Sequence, residues 1–277
     1  MKYVSYTHNG RVTYGRVEGD TVSDLGAIPG APADLVAALK ANALAGLTAA
    51  VTIPFADIKL LPVVTNPTKI FCVGHNYESH RVETGRAKVG HPSIFLRFAD
   101  TLNSHEAEVL RPKSSTSLDY EAELAIIIGK GGRYISEADA MSHVAGFTCA
   151  NDVSVRDWQW HTSQFAPGKN FPTTCPLGPW MVTPDEIGDL DAISVTSRLN
   201  GQVMQHATLD HLLFSLPVII EYLSGFTTLN PGDVILTGTP GGVGAKREPP
   251  VWMKAGDIIE VEIAGVGLLR NTIADEA

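Results

Sequence analysis

The chain has 277 residues, 44% hydrophobic and 18% charged, an ordinary globular balance with ample length for a large core. A formal net charge of −9 argues against a nucleic-acid binder or a partner of anionic membranes, and leaves any anionic substrate to a few local cations. Three distant cysteines (Cys72, Cys149 and Cys175), no apolar run long enough to span a bilayer and no apolar signal core at the start point to a reduced, cytoplasmic setting.

Residues 1 to 64 read as a small β-rich domain, and residues 65 to 277 as the main one. Lys2 to Tyr6, Arg11 to Glu18 and Thr21 to Asp24 are short alternating segments separated by turn signals. Ala31 to Ala50 is rich in alanine and leucine and predicts a helix. Ile70 to Gly74 and Ser93 to Phe98 predict strands, with a possible helix at His75 to Glu83 and a basic loop at Thr84 to Pro92 between them. Leu118 to Gly129 combines three acids with a β-branched run, the pattern of a buried strand. Ser136 to Met141 predicts a short helix and Val144 to Asp152 a strand. Phe165 to Pro179 predicts a loop around Lys169. Asn200-Gly201 predicts a hairpin turn between strands, Ser215 a cap for a helix through Ser224, and Asp233 to Thr237 and Asp257 to Ile263 two more strands. Many strands and few helices define a β-dominated α+β class, not a doubly wound fold.

Glu121 and Glu123 are two apart on the predicted strand and share a face, with Cα atoms roughly 6–7 Å apart. Buried side by side they repel, and a cation relieves both the repulsion and the cost of desolvation. The alternative is a solvated pair at a frayed strand start. Asp152, at another strand end, taken alone is a turn aspartate. With the two glutamates it makes a three-oxygen site without Cys or His, suited to Mg²⁺, Mn²⁺ or Ca²⁺. His80 and Glu83 are three apart, and on a helix they share a face, where a carboxylate makes a general base of an imidazole. A surface histidine is the plainer reading. Arg81, Arg86, Lys88 and His91 form a local basic excess that suits either a lid over an anion or a solvated loop. Lys169 faces an anion or solvent, and Arg156 and Gln159 grip substrate oxygens or form a structural pair. The glycine-rich stretch Thr237 to Gly244 has neither phosphate-loop nor dinucleotide spacing, and its N–H groups could line a carboxylate pocket.

Together these stretches resemble the fumarylacetoacetate hydrolase family over about Lys69 to Glu262. Gly74-His75-Asn76-Tyr77-Glu78-Ser79-His80 with Glu83 looks like the family's lid dyad, and Asp119-Tyr120-Glu121-Ala122-Glu123 like its metal motif. Asn151-Asp152 with Arg156 and Gln159 looks like its metal aspartate and substrate-binding pair, and Gly168-Lys169-Asn170-Phe171 like its catalytic lysine segment. Phe214 to Pro217 and Leu236 to Gly244 are further signatures in the same order. The resemblance implies a mixed β-roll catalytic domain with a small β-rich N-terminal domain, a homodimer, a Mg²⁺-type ion and chemistry on 2-oxo acids or 1,3-dicarbonyls. Arg97-Phe98 departs from the Lys-Pro of many smaller members, and the Gln159 to Lys169 stretch is short and carries Trp160 and His161.

The leading expectation is a metal-dependent hydrolase that cleaves a C–C bond of an acylpyruvate or related 2,4-dioxo acid in aromatic catabolism. Glu121, Glu123 and Asp152 hold the ion, and His80, oriented by Glu83, activates water. Lys169 stabilises the enolate, while Arg156, Gln159 and Thr239 position the substrate. The dyad tilts the choice to hydrolysis over the alternative, a decarboxylase or isomerase/tautomerase of a 2-oxo or 2-hydroxy-dienoic dicarboxylate. A non-catalytic Ca²⁺-binding protein is a third reading.

Overall fold

The computed structural model describes residues 1–49 and 51–277. At its centre lies the strand Ala122–Ile128, buried along its whole length. Leu124, Ile126 and Ile128 pack in one core cluster with Phe147, Ile219, Leu223 and Val261. Ala125 and Ile127 pack in a second with Tyr3, Leu35 and Leu236. A strand covered on both faces has no solvent side, which is why its sequence is a continuous apolar run.

This strand pairs antiparallel with Val144–Asn151 on one side and Val234–Leu236 on the other. Val234–Leu236 runs parallel to Ile70–Gly74, which leads to the edge strand Ser93–Arg97. On the far side Val144–Asn151 pairs with Cys175–Val182, and that strand pairs with Lys2–His8. The N-terminal strands Arg11–Glu18, Thr21–Asp24 and Thr52–Pro54 extend the same 12-stranded sheet. The N-terminal residues therefore share both hydrogen bonds and a core cluster with the rest of the chain. A 5-stranded sheet, from Gln202–Thr208 through Ser194–Leu199, Ile258–Ile263 and Gly267–Asp275 to Glu108–Arg111, closes over the first cluster. The result is the β-dominated α+β roll that the sequence predicts. No helix among the described residues is long and apolar enough to cross a membrane.

Several elements differ from expectation. The predicted helix over Ala31 to Ala50 is only Leu35–Lys40, capped by the Asp34 side chain on the Ala37 N–H at 2.7 Å. It stops because Asn42 turns left-handed, with a φ of 49°. The expected end at Ala50 lies outside the described residues. Ser136 to Met141 yields only a single turn of 3₁₀ helix at Ala140–His143. Ser215 stands at the cap position of Leu216–Phe226, yet its side chain makes no capping bond, and the helix runs past Gly225. The expected loop at Phe165 to Pro179 contains a short helix, Ala166–Lys169, and the start of a buried strand at Cys175. The Asn200-Gly201 turn has both residues at positive φ, 51° and 81°, as a two-residue hairpin of this type requires.

Ile126 is fully buried between the two sheets. Ile126→Ala should lower unfolding free energy by about 2–5 kcal/mol, through lost transfer energy and the cavity left behind. Urea denaturation checks it, and a loss under 1 kcal/mol would mean this strand is not the core.

Candidate metal and active site

Strand register brings the acids together. Ala122 lies opposite Asn151 and Glu123 opposite Ala150. Beyond that rung the Asp152 N–H donates to the Glu121 carbonyl at 2.9 Å, and Asn151 Oδ1 accepts the Glu121 N–H at 3.0 Å. Glu121 therefore stands just before its strand and Asp152 just after its own. With Glu123 they offer oxygens all within 4.8 Å of one another, and all three side chains are buried.

Two of these acids are met by cations. Lys169 Nζ donates to Glu121 Oε2 at 2.5 Å and Asp152 Oδ2 at 2.6 Å. Arg156 donates to Glu121 Oε1 at 2.7 Å and Asp119 Oδ2 at 2.8 Å. Arg97 holds Asp152 Oδ1 at 2.5 Å and also donates to the carbonyls of Val153 and Lys169. The Lys169 helix packs so closely that a Cβ at Gly168 would stand 2.4 Å from Gln159 Cβ.

Glu123 accepts the Gly238 N–H at 2.6 Å, and no cation among the described residues pairs with it. Burial, then the negative charges of Asp152 and Glu121, push its pKa well above the usual carboxylate range. Burial alone would raise Glu121 as well, but Arg156, Lys169 and His80 together outweigh it and hold that pKa well below the ordinary value. The Lys169 contest also ends in favour of charge. Burial would lower its pKa, and Asp152 and Glu121 raise it. Three oxygen donors and one buried carboxylate without a counter-charge fit a hard divalent cation. Mg²⁺, Mn²⁺ and Ca²⁺ share this donor preference.

The helix Glu78–Glu83 places His80 over the acids. His80 Nδ1 bonds Glu83 Oε1 at 2.7 Å, and Nε2 lies 3.9 Å from Glu121 Oε1. The carboxylate at Nδ1 assigns that nitrogen the proton, so Nε2 offers its lone pair to the cleft.

The glycine-rich stretch uses most of its N–H groups inside the protein. Gly238 serves Glu123, Gly242 serves Glu83, and Gly244 and Ala245 serve Asp119; Gly241 serves the Ser79 hydroxyl. It is a nest for the protein's own carboxylates. Arg156, Gln159 and Thr239 all line the cleft. Arg156, however, is committed to Asp119, Glu121 and Gln159, and the Thr239 hydroxyl bonds the Ala122 carbonyl and Gln205. Their first task is to frame the acids.

Sequence reasoning missed two members of that frame. Asp119, outside the group of three acids, anchors Arg156 and the glycine-rich loop together. Arg97 stands out in the sequence only as a departure from a family pattern. The only available signal for it was a cation at the end of a predicted strand, Ser93–Arg97, where the structure buries Arg97 alone.

Residues 69–274 match the family model described as fumarylacetoacetate (FAA) hydrolase C-terminal, and residues 1–62 match one described as Rv2993c-like, N-terminal. The chain belongs to the fumarylacetoacetate hydrolase family. It is 45% identical over 219 residues to an oxaloacetate tautomerase, fahd2, mitochondrial, of Xenopus laevis, covering 78% of this chain and 69% of that one. Among solved structures, a fumarylacetoacetate hydrolase from Exiguobacterium antarcticum superposes with a TM-score of 0.90 at 33% identity. A 5-carboxymethyl-2-hydroxymuconate delta-isomerase from Mycobacterium smegmatis gives 0.84 at 29%; each comparison covers 100% of both chains.

Glu123→Gln keeps the shape and the Gly238 bond but removes the unpaired charge. Mg²⁺ or Mn²⁺ affinity, measured by calorimetry, should fall at least about tenfold, one unit or more in log Kd. Unchanged affinity would take Glu123 out of the ligand set.

Proposed function

We propose that this enzyme interconverts the enol and keto forms of a 2-oxo acid of the oxaloacetate type, in place of the C–C hydrolysis expected first. The likeness at 45% identity to an oxaloacetate tautomerase carries the choice, and the delta-isomerase among the structural neighbours supports it. The His80–Glu83 dyad does not separate the two reactions. A base facing the cleft serves proton transfer between oxygen and carbon as well as it serves water activation.

When bound by Glu121, Glu123 and Asp152, a divalent cation would supply Lewis-acid polarisation of the 2-oxo end of the substrate. The chain's own groups do the rest. His80 Nε2 takes the proton from the enol hydroxyl as the C2–O bond becomes a carbonyl. The C2=C3 electron pair then takes that proton back at C3, and the reverse path enolises the ketone. Glu83 fixes the imidazole's tautomer and stabilises its charged form between the two transfers. Lys169, held charged by Asp152 and Glu121, stabilises the negative charge that develops on the substrate. Expected with this reading are an anionic 2-oxo acid as the small-molecule partner and a homodimer as the working assembly.

His80→Ala should lower kcat for oxaloacetate tautomerisation by about 10²–10⁴-fold with metal affinity retained. Undiminished turnover would remove His80 from proton transfer. Chelation with EDTA should abolish activity and Mg²⁺ or Mn²⁺ should restore it; full activity after stripping would exclude the metal role. Hydrolysis stands as the second reading because of the hydrolase neighbour with a TM-score of 0.90. Acylpyruvates in ¹⁸O-water separate the two, since only hydrolysis releases a second carboxylic acid with the label in its carboxylate; label in a 2-oxo carbonyl reports exchange alone.

A further inference from the structure

We propose that Arg86 and Lys246, two exposed cations lining the cleft, are the residues that hold the second carboxylate of a 2-oxo dicarboxylate and so set the preference among 2-oxo acids. This rests on the 2-oxo acid reading above and adds the residues that choose among such acids. Four cationic side chains line the cleft: Arg86, Arg156, Lys169 and Lys246. Arg156 and Lys169 are bonded to the buried acids. Arg86 and Lys246 are exposed, and neither has a carboxylate partner among the described residues. They are the cleft cations left to meet an external anion.

A continuous wall connects Arg86 to the reacting end. The His80 ring is stacked on His75 at 5.2 Å, with 12° between the planes. His75 meets Phe165 edge-on at 5.9 Å, and the Arg86 guanidinium lies 5.9 Å from the centre of the same Phe165 ring. An aromatic face of this kind attracts a guanidinium while leaving its N–H fork open to a planar anion. His75 holds its place with a φ of 56°, a left-handed conformation uncommon for residues other than glycine. Such an outlier near a cleft is a reason to look for function there. Burial, then the adjacent His80, lower the His75 pKa to about 4, with Arg86 and Lys169 adding to the effect. The middle of the wall is therefore neutral at physiological pH, and charge is confined to its two ends.

Both cations are tethered to the machinery. The Arg86 N–H donates to the Arg81 carbonyl and the Arg81 guanidinium donates back to the Arg86 carbonyl, so Arg86 is bound to the helix that carries His80. Lys246 ends a 3₁₀ turn whose Gly244 and Ala245 N–H groups are fixed on Asp119, the residue that also holds Arg156.

The test is calorimetry on the Mg²⁺-loaded protein with oxaloacetate, 2-oxoglutarate and 2-oxoadipate against their distal monomethyl esters. An ester removes the second charge and keeps the 2-oxo carboxylate. At least one diacid should bind about tenfold tighter than its ester. Arg86→Ala and Lys246→Ala should each cut that preference several-fold, Arg86→Lys should restore most of it, and the double variant should abolish it. Equal affinity for acid and ester in the unaltered protein, or a loss in the variants that falls equally on both, would overturn the subsite. Failure of every 2-oxo acid to bind, esters included, would instead overturn the 2-oxo acid reading and the subsite with it. Because Arg86 and Lys246 lie on the surface, circular dichroism of the variants should match the unaltered protein. If the alanine variants misfold, Arg86→Gln and Lys246→Gln carry the same comparison.

Discussion

Four buried carboxylates face three buried cations at the heart of this fold. Asp119, Glu121, Glu123 and Asp152 are matched by Arg97, Arg156 and Lys169, all nearly inaccessible to water. Stability alone does not explain such a cluster, because well-packed apolar residues of the same volume often do as well or better. The imbalance adds a further cost, which falls on Glu123. Burial, then the adjacent Asp152 and Glu121 charges, push its pKa up, and no cation among the described residues lies close enough to offset them. With all four carboxylates ionised, a divalent cation would take the cluster from one negative charge to one positive, and so prepare it to receive an anion. The donor chemistry, the charge count and the acidity of one residue thus lead to the same occupant.

The glycine-rich stretch ties that cluster to the helix that carries His80. Its successive N–H groups reach a metal-site acid, the lid dyad and the anchor of Arg156. Only a backbone with glycine at left-handed positions can turn this often within so few residues. Gly238 and Gly242 have φ of 106° and 104°, and a Cβ at Gly242 would stand 2.3 Å from the Met204 carbonyl. The lid bonds to the same stretch through Ser79 and Glu83, so His80 is held in register with Glu121 by contacts to the loop and not by the helix Glu78–Glu83 alone. That short helix has too few internal hydrogen bonds to fix an imbalanced charge site by itself.

Local signals in the chain carried much of this. Two glutamates at a spacing of two, ahead of a run buried on both faces, already placed Glu121 and Glu123 together, because alternation along a strand is a property of the backbone. His80 and Glu83 were legible for the corresponding reason on a helix. Asp152 was not legible alone, since its meaning depends on the register between Ala122–Ile128 and Val144–Asn151, a pairing of residues about thirty positions apart. Arg97 and Asp119 were harder still. A buried guanidinium is recognisable only once its partners arrive from distant segments, here Asp152, Val153 and Lys169. The long helix expected after Ala31 failed for a related reason. Composition favours it, but a left-handed Asn42 ends it where the chain must turn back against the sheet.

Geometry at the acids is common to proton transfer and to hydrolysis, so the choice between them lies in what else enters the cleft. Hydrolysis needs a water held between His80 Nε2 and a carbonyl, whereas tautomerisation needs that same nitrogen in direct contact with substrate. The wall beside His80 is built of His75 and Phe165, a neutral imidazole and a phenyl ring, with Phe95 packed behind at 5.7 Å. Apart from the imidazole, these surfaces offer a bridging water few partners, and an ordered water needs two to four. A flat, unsaturated carbon chain packs well against the same surfaces. On the proposed tautomerisation, the aromatic wall of His75 and Phe165 is the surface against which the substrate's carbon chain would pack beside His80.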